Sequence, residues 1–152
     1  MSLTNLGGDG LQVEAVSLND IAARFGTPCY VYSRLALTAA YLGYRNALQA
    51  HGLGDRALIC YSVKANSNLA ILNLFARLGA GFDIVSGGEL ARVLAAGGSA
   101  DKIVFSGLGK SRDEMRLALE AGIHCFNVES TSELEQLNAV AGSLNIRAPV
   151  SL

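Results

Sequence analysis

Lys64 closes the run Cys60-Tyr61-Ser62-Val63-Lys64-Ala65-Asn66-Ser67-Asn68, in which a strand-like apolar stretch ends on a single cation just before a helical pattern begins. A strand position that faces a core is a poor place for an ammonium group, because burial disfavours its charged form. A lysine so placed is an amine nucleophile. The chemistry that most often needs one is Schiff-base formation with a carbonyl, on a substrate or on pyridoxal phosphate. The alternative reading is a surface lysine at an exposed strand end. Asp83 is the second residue that needs a reason. It sits between Phe82 and Ile84-Val85, where a carboxylate must find a polar partner or carry a large desolvation cost. Lys64, one strand earlier, is the expected partner, and a structural contact to nearby backbone or another lysine is the competing one.

These residues sit in a regular alternation. Strand-like runs fall at 58–64, 82–85, 102–106, 124–128 and 146–152, and their starts recur about every 22 residues, which suits a strand, a helix of about three turns and two short loops. Between them apolar residues are spaced by three and four: Leu69, Leu72, Phe75, Leu78; Leu90, Val93, Leu94; Met115, Ala118, Leu119; Leu134, Leu137, Val140. Gly79, Gly97, Gly122 and Gly142 follow or close these patterns, where a left-handed helix-ending residue is expected. Helix starts are marked by three S-x-x-E capping boxes, Ser86 to Glu89, Ser111 to Glu114 and Ser130 to Glu133. Capping alone accounts for the three glutamates, since each helix start has orphan N–H groups to satisfy.

Units of this kind predict a parallel sheet with right-handed crossovers, doubly wound or closed as a (β/α)8 barrel. In either, ligands bind at the carboxyl ends of the strands. That end carries Lys64, Ser86, Ser106 and Glu129-Ser130, with Asp83 inside the second strand. The N-terminal part is organised differently. Leu11-Gln12-Val13 alternates like a strand, residues 17–25 read as a short helix closed by Gly26, and Thr27-Pro28 leads into the strand-like Cys29-Tyr30-Val31-Tyr32. A longer helix is expected from about residue 33 to 50, and Gly7-Gly8-Asp9-Gly10 reads as loose chain.

Composition narrows the function classes. A net charge of −1 leaves no electrostatic footprint for nucleic acid. The first 20 residues hold no lysine, arginine or long apolar run, and no later stretch approaches the roughly 18 apolar residues of a membrane span. The expectation is a cytoplasmic protein with neither nucleic-acid nor membrane partners. Cys29, Cys60 and Cys125 are odd in number and show no C-x-x-C spacing, and His51 and His124 have no ligand-like partners, so neither a disulfide nor a metal site is expected. Gly107-Leu108-Gly109-Lys110-Ser111 imitates the second half of a P-loop. The full pattern needs glycine where this chain has the strand residue Val104, and a loop with Ser111 as helix cap explains the same residues.

Four motifs in order carry a resemblance: Tyr61-Ser62-Val63-Lys64-Ala65-Asn66-Ser67-Asn68, Gly81-Phe82-Asp83-Ile84-Val85-Ser86-Gly87-Gly88-Glu89-Leu90, Phe105-Ser106-Gly107-Leu108-Gly109-Lys110 and Phe126-Asn127-Val128-Glu129-Ser130. From about Gly10 onward the chain resembles the diaminopimelate decarboxylase family, and Gly26-Thr27-Pro28 with Tyr30-Val31-Tyr32 is similar to that family's N-terminal segment. The resemblance implies a fold-type III enzyme with a TIM-like barrel of the alanine-racemase type and a second, β-rich domain, acting as a homodimer. It implies pyridoxal 5'-phosphate as cofactor, Lys64 as the lysine that holds it in an internal aldimine, and Asp83 as a residue beside it. Glu89 lies near the cofactor in related decarboxylases. The implied reaction is decarboxylation of the small amino acid meso-2,6-diaminopimelate to L-lysine and CO2.

By that resemblance, residues 1–32 form a segment that pairs with the β domain, and 33–152 form the first part of the barrel, about five strands of an incomplete (β/α)8 structure. The family's arginine, its histidine over the cofactor ring and its phosphate contacts would lie beyond Leu152, so the 152 residues alone are expected to be inactive. Two alternatives share the strand-end lysine. One is a non-catalytic single-domain pyridoxal-phosphate protein, which has no use for the N-terminal strand-like segments. The other is an amino-acid racemase or another decarboxylase of the same fold type; racemases follow the lysine with Ala-Asn-Ala-Tyr-Gly rather than Ala65-Asn66-Ser67-Asn68-Leu69.

Overall fold

In the computed structural model, which describes Thr4–Asn5 and residues 10–152, the chain divides into two compact units, Met1–Ala47 and Leu48–Leu152. The first is built on a small antiparallel sheet in the order β1 (Thr4–Asn5), β2 (Leu11–Val13), β3 (Val16–Ser17). Residues 7–9, part of the expected loose stretch, lie outside the described residues. Helix α1 (Leu18–Phe25) follows directly, and α2 (Arg34–Ala50) runs to the end of the unit and into the next. Glu14 turns the β2–β3 hairpin with φ of 57° and puts its carboxylate on the start of α2, accepting from the Ser33 hydroxyl at 2.7 Å and the Leu35 N–H at 2.8 Å. Those bonds, the Leu35 N–H first, hold its carboxyl below the usual glutamate range. Cys29-Tyr30-Val31-Tyr32, expected as a strand, pairs with no strand among the described residues. It takes no regular secondary structure and is largely open to solvent, with Tyr30 90% exposed.

The second unit is one parallel sheet of five strands in sequence order: β4 (Cys60–Ser62), β5 (Gly81–Ile84), β6 (Ile103–Phe105), β7 (Cys125–Asn127) and β8 (Val150–Ser151). Helices α3 (Leu69–Leu78), α4 (Gly87–Ala95), α5 (Arg112–Ala121) and α6 (Thr131–Leu144) connect them. This is the arrangement of successive βα units in a barrel, present as five strands. Strands are shorter than the apolar runs suggest: Lys102 belongs to a 3₁₀ turn, and the expected strand over 146–152 pairs only at Val150 and Ser151.

Partners in a parallel ladder share a face. Phe82 pairs with Ile103, Ile84 with Phe105, and Phe105 with Phe126, and all five are fully buried. This face meets the helices: Tyr61 stacks on Phe75 of α3 at 4.4 Å, and Leu72, Val93, Met115, Leu137 and Val140 fill the layer. Phe105 and Phe126 stack at 5.9 Å in its middle. Each such side chain contributes roughly 1.5–3 kcal/mol on burial. At Gly81 the close approach leaves no room for a side chain, since a Cβ there would lie 2.6 Å from the Lys102 carbonyl and 2.8 Å from the Cys60 Sγ.

Helix ends follow the sequence with one exception. Gly79 and Gly122 are left-handed caps. Gly142 is not, because α6 continues to Leu144 and Asn145 takes the left-handed position at φ of 54°, with the Ile146 N–H closing onto the Ala141 carbonyl. Asparagine is the residue after glycine best suited to that conformation. The three capping boxes also diverge. Ser86, Ser111 and Ser130 each accept from the glutamate N–H three residues on, but only Glu114 returns its carboxylate to its own cap residue. Glu114 also accepts from the Gly87 N–H at 2.8 Å, tying α5 to the start of α4. No helix among the described residues is long and apolar enough to cross a membrane.

Replacing Phe126 by alanine is expected to destabilise the protein by about 3–5 kcal/mol. Leu108→Ala, at a side chain 82% exposed, should change stability by less than about 0.5 kcal/mol. Urea unfolding midpoints measure the contrast. The Gly87 N–H, then the Ser111 N–H, hold the Glu114 carboxyl below its ordinary range. A group whose folded pKa is depressed stabilises fully above its unfolded value and loses that contribution as pH falls through the folded one. Glu114→Gln should therefore lower the melting temperature at neutral pH and flatten its fall on the acid side, measured by a melting series from neutral pH downward.

Candidate active site

Lys64 lies one step past β4, in the 3₁₀ turn Val63–Ala65. Val63 is fully buried and anchors the turn, while Lys64 itself is exposed rather than facing the core. The rest of its motif holds this loop. The Tyr61 hydroxyl donates to the Asn66 carbonyl at 3.1 Å, the Asn66 side chain accepts from the Asn68 N–H at 3.0 Å, and Asn68 caps α3 by accepting from the Ala70 N–H at 2.9 Å. Arg92 on α4 donates to the Ser67 carbonyl at 2.8 Å. Among the described residues no hydrogen bond or ion pair engages the Lys64 amine. The Lys64 amine thus stands on a pinned loop just past the strand rather than inside it.

Asp83 sits in β5 on the face opposite Phe82 and Ile84, and the expected pairing with Lys64 is not formed. Register gives the reason: Asp83 lies beside Ser62, two residues before Lys64, and the chain has left the sheet by the time it reaches the lysine. The carboxylate instead accepts from two hydroxyls, from Ser106 to Oδ1 and, at a long 3.5 Å, from Ser62 to Oδ2. Asn127 at the end of β7 donates its side-chain N–H to the Ser106 Oγ at 2.9 Å. A continuous polar row, Ser62–Asp83–Ser106–Asn127, therefore crosses the carboxyl ends of four strands on the face away from the helices. Sequence reasoning placed Ser106 at this end of the sheet but missed Ser62 and Asn127 as partners. The signal available was their parity, a polar residue on the same face in β4, β5 and β7 and directly after β6.

Cys60 and Cys125 share that face. Burial pushes the Cys60 thiol up, with the Asp83 carboxylate and Cys125 adding to it, and burial likewise raises Cys125. Both shifts favour the protonated thiol over the thiolate. Glu89, the third residue near the site by resemblance, accepts from the Val85 N–H at 2.7 Å and so braces the loop between β5 and α4.

Lys110, the lysine of the P-loop-like run, is 5% exposed and turned inward. Its ammonium donates to the Gly107 carbonyl at 2.7 Å, the Asn127 carbonyl at 2.9 Å and Glu133 Oε1 at 2.7 Å. All three of its protons are used, which leaves none for a phosphate. Glu133, expected to cap its own helix, is instead the counter-ion of this buried cation, because an uncompensated charge at Lys110 would cost more than an unclosed capping box. Ser111 does cap α5, as expected. Among the described residues no group of three or more His, Cys, Asp or Glu side chains is placed to hold a metal ion.

A primary amine just past β4 and a hydroxyl-fixed carboxylate in the adjoining β5, both toward the carboxyl ends of parallel strands, form a donor set that fits a cofactor with an aldehyde. Comparison with known proteins agrees. The family model described as "Pyridoxal-dependent decarboxylase, pyridoxal binding domain" matches residues 39–152. A diaminopimelate decarboxylase of Pseudomonas fluorescens is 61% identical over all of this chain and 36% of its own length. The structure of diaminopimelate decarboxylase from M. jannaschii in co-complex with L-lysine superposes with a TM-score of 0.90 at 35% identity, over 97% of this chain and 34% of that one. The Helicobacter pylori enzyme complexed with L-lysine gives 0.81 at 43% identity, over 87% of this chain and 32% of that one. The chain thus spans about a third of the length of the curated relatives it matches. With the barrel units, the strand-end amine and the family match in agreement, the chain belongs to the pyridoxal-dependent decarboxylase family, within its pyridoxal-binding domain.

Proposed function

We propose that the full-length protein is a diaminopimelate decarboxylase that converts meso-2,6-diaminopimelate to L-lysine and CO2 with pyridoxal 5'-phosphate, and that this chain supplies the lysine that holds the cofactor. The observation that carries the proposal is the unpaired amine of Lys64, on a loop fixed at both ends, next to the Ser62–Asp83–Ser106–Asn127 row. Identity of 61% and 62% to enzymes of that name supports the choice of substrate.

Bound pyridoxal phosphate supplies an electron sink for the pair left on Cα when the Cα–carboxylate bond breaks. In this reading Lys64 would hold the cofactor through its Nζ, and the same amine could hold or move a proton beside the substrate Cα. Asp83 contributes a fixed negative charge, oriented by Ser106 and Ser62 so that it need not reorganise during the reaction. The loop bonds at Asn66, Ser67 and Asn68 keep Lys64 within reach.

Residues 1–32 are proposed to pair with a β-rich domain elsewhere in the full-length protein, and 33–152 to form the first part of the barrel. The exposed Tyr30 and Tyr32 support the first assignment. A homodimer acting on a free amino acid, in the cytoplasm, completes the proposal; three unpaired thiols suit a reducing compartment.

Borohydride reduction of the full-length protein loaded with pyridoxal phosphate, followed by peptide mapping, should label Lys64. A label confined to Lys102 or Lys110 sinks the assignment, as does absence of CO2 release from meso-diaminopimelate. Asp83→Ala should weaken cofactor retention or turnover roughly 10- to 100-fold, the equivalent of losing about 1.5–3 kcal/mol of charged hydrogen bonding. If kcat and cofactor binding are unchanged while the melting temperature collapses, Asp83 is structural.

A further inference from the structure

The P-loop-like lysine and the end of β7 belong to one network whose far end is Asp83. Lys110 has two main-chain acceptors, and each adjoins or belongs to a residue of the polar row. Gly107 follows Ser106 directly, and the Asn127 carbonyl belongs to the residue whose side chain donates to Ser106. Gly107 is held from its other side as well, its N–H donating to Glu129 Oε1 at 3.2 Å. The Lys110 side chain is fully buried and that of Glu133 nearly so. The pair therefore works as an internal clamp between the β6–α5 loop, the end of β7 and α6.

The direction of the bonds matters. A hydroxyl has one proton and two lone pairs. Because the Asn127 amide donates to the Ser106 oxygen, the hydroxyl proton is left to point at Asp83, whose carboxylate can only accept. Among the described residues Asp83 has no ion-pair partner, so its orientation rests on this bond and on the long one from Ser62.

We infer that Asn127, with its main chain clamped by the buried Lys110–Glu133 pair, is a positioning residue that sets the Asp83 carboxylate through Ser106. The inference rests on the reading that Asp83 faces the cofactor. Neither Asn127 nor Lys110 touches the reacting atoms. Lys110 fixes loop geometry, with two carbonyls and a carboxylate as its partners.

The test uses the full-length protein with Asn127→Leu, which keeps the carbonyl that Lys110 holds, and the double variant Lys110→Met/Glu133→Leu, which removes both buried charges together so that neither is orphaned. Equilibrium titration of the apo-protein with pyridoxal phosphate, and kcat and KM of the loaded enzyme, should show a loss of about tenfold in affinity or kcat for each variant. In an Asp83→Ala background the same changes should cost less than about twofold more, the non-additivity expected of groups acting through one residue. Full effects in that background, or wild-type affinity and kcat in Asn127→Leu, overturn the inference. A crystal structure of apo Asn127→Leu adds an arm independent of catalysis: the Ser106 hydroxyl should leave Asp83 and the carboxylate should turn. An unmoved Asp83 also overturns it, whereas failure of the wild-type protein to bind pyridoxal phosphate would instead sink the reading under Proposed function.

Discussion

The parallel register that sets Ser62 beside Asp83, Asp83 beside Val104 and Val104 beside Cys125 is the constraint on which the rest of the structure depends. Side chains alternate between faces with a period of two, so this one alignment assigns every strand residue to the helix layer or to the site. Slipping a single strand by one residue would drive Phe82 and Ile84 out of the core and carry Asp83 into it. The aromatic and branched residues of the buried face oppose such a slip strongly, with five fully buried side chains from three adjoining strands locking into one layer. Packing on one face thereby positions the chemistry on the other.

Glycine and glutamate make the two ends of the strands compatible with that register. At the amino end of β5, Gly81 lets neighbouring chain approach more closely than any side chain would allow. Glu89, Glu114 and Glu129 each satisfy a backbone N–H in or beside a strand-to-helix loop, at Val85, Gly87 and Gly107. The carboxylates replace water on these donors, so the loops after β5 and β6 are fixed by the protein itself, as the loop that carries Lys64 is by Tyr61, Asn66, Asn68 and Arg92. Buried charge follows the same logic at Lys110, which would be expensive alone and is instead neutralised by Glu133 and spent on two carbonyls.

The two candidate site residues are held in different ways. Asp83 is a strand residue, and its position is as rigid as the ladder. Lys64 is a turn residue, held through its neighbours Val63, Asn66 and Asn68 while its own side chain stays free. The polar row that contains Asp83 orients the carboxylate through hydroxyls.

Much of this was legible in one dimension. The strand–helix period, the three serine caps, the glycines at Gly79 and Gly122 and the strand-end placement of Lys64 all depend on residues within a few positions of each other, where backbone propensity and hydrogen-bond chemistry are local. Asp83 could be recognised as needing a partner because an acid inside an apolar run is anomalous wherever it lies. What stayed hidden was who meets whom across 20 or more residues. Glu133 could not be told from a helix cap until Lys110 was seen buried against it, nor could Asp83 be given Ser106 instead of Lys64 until the register was known. Cys29-Tyr30-Val31-Tyr32 reads as a strand because its residues favour extended chain, yet a strand exists only where another edge pairs with it. Local sequence determined which elements form and which residues can do chemistry. Only the tertiary structure decided their partners, because hydrogen bonds between strands and burial of charge are set by distances that the order of residues does not contain.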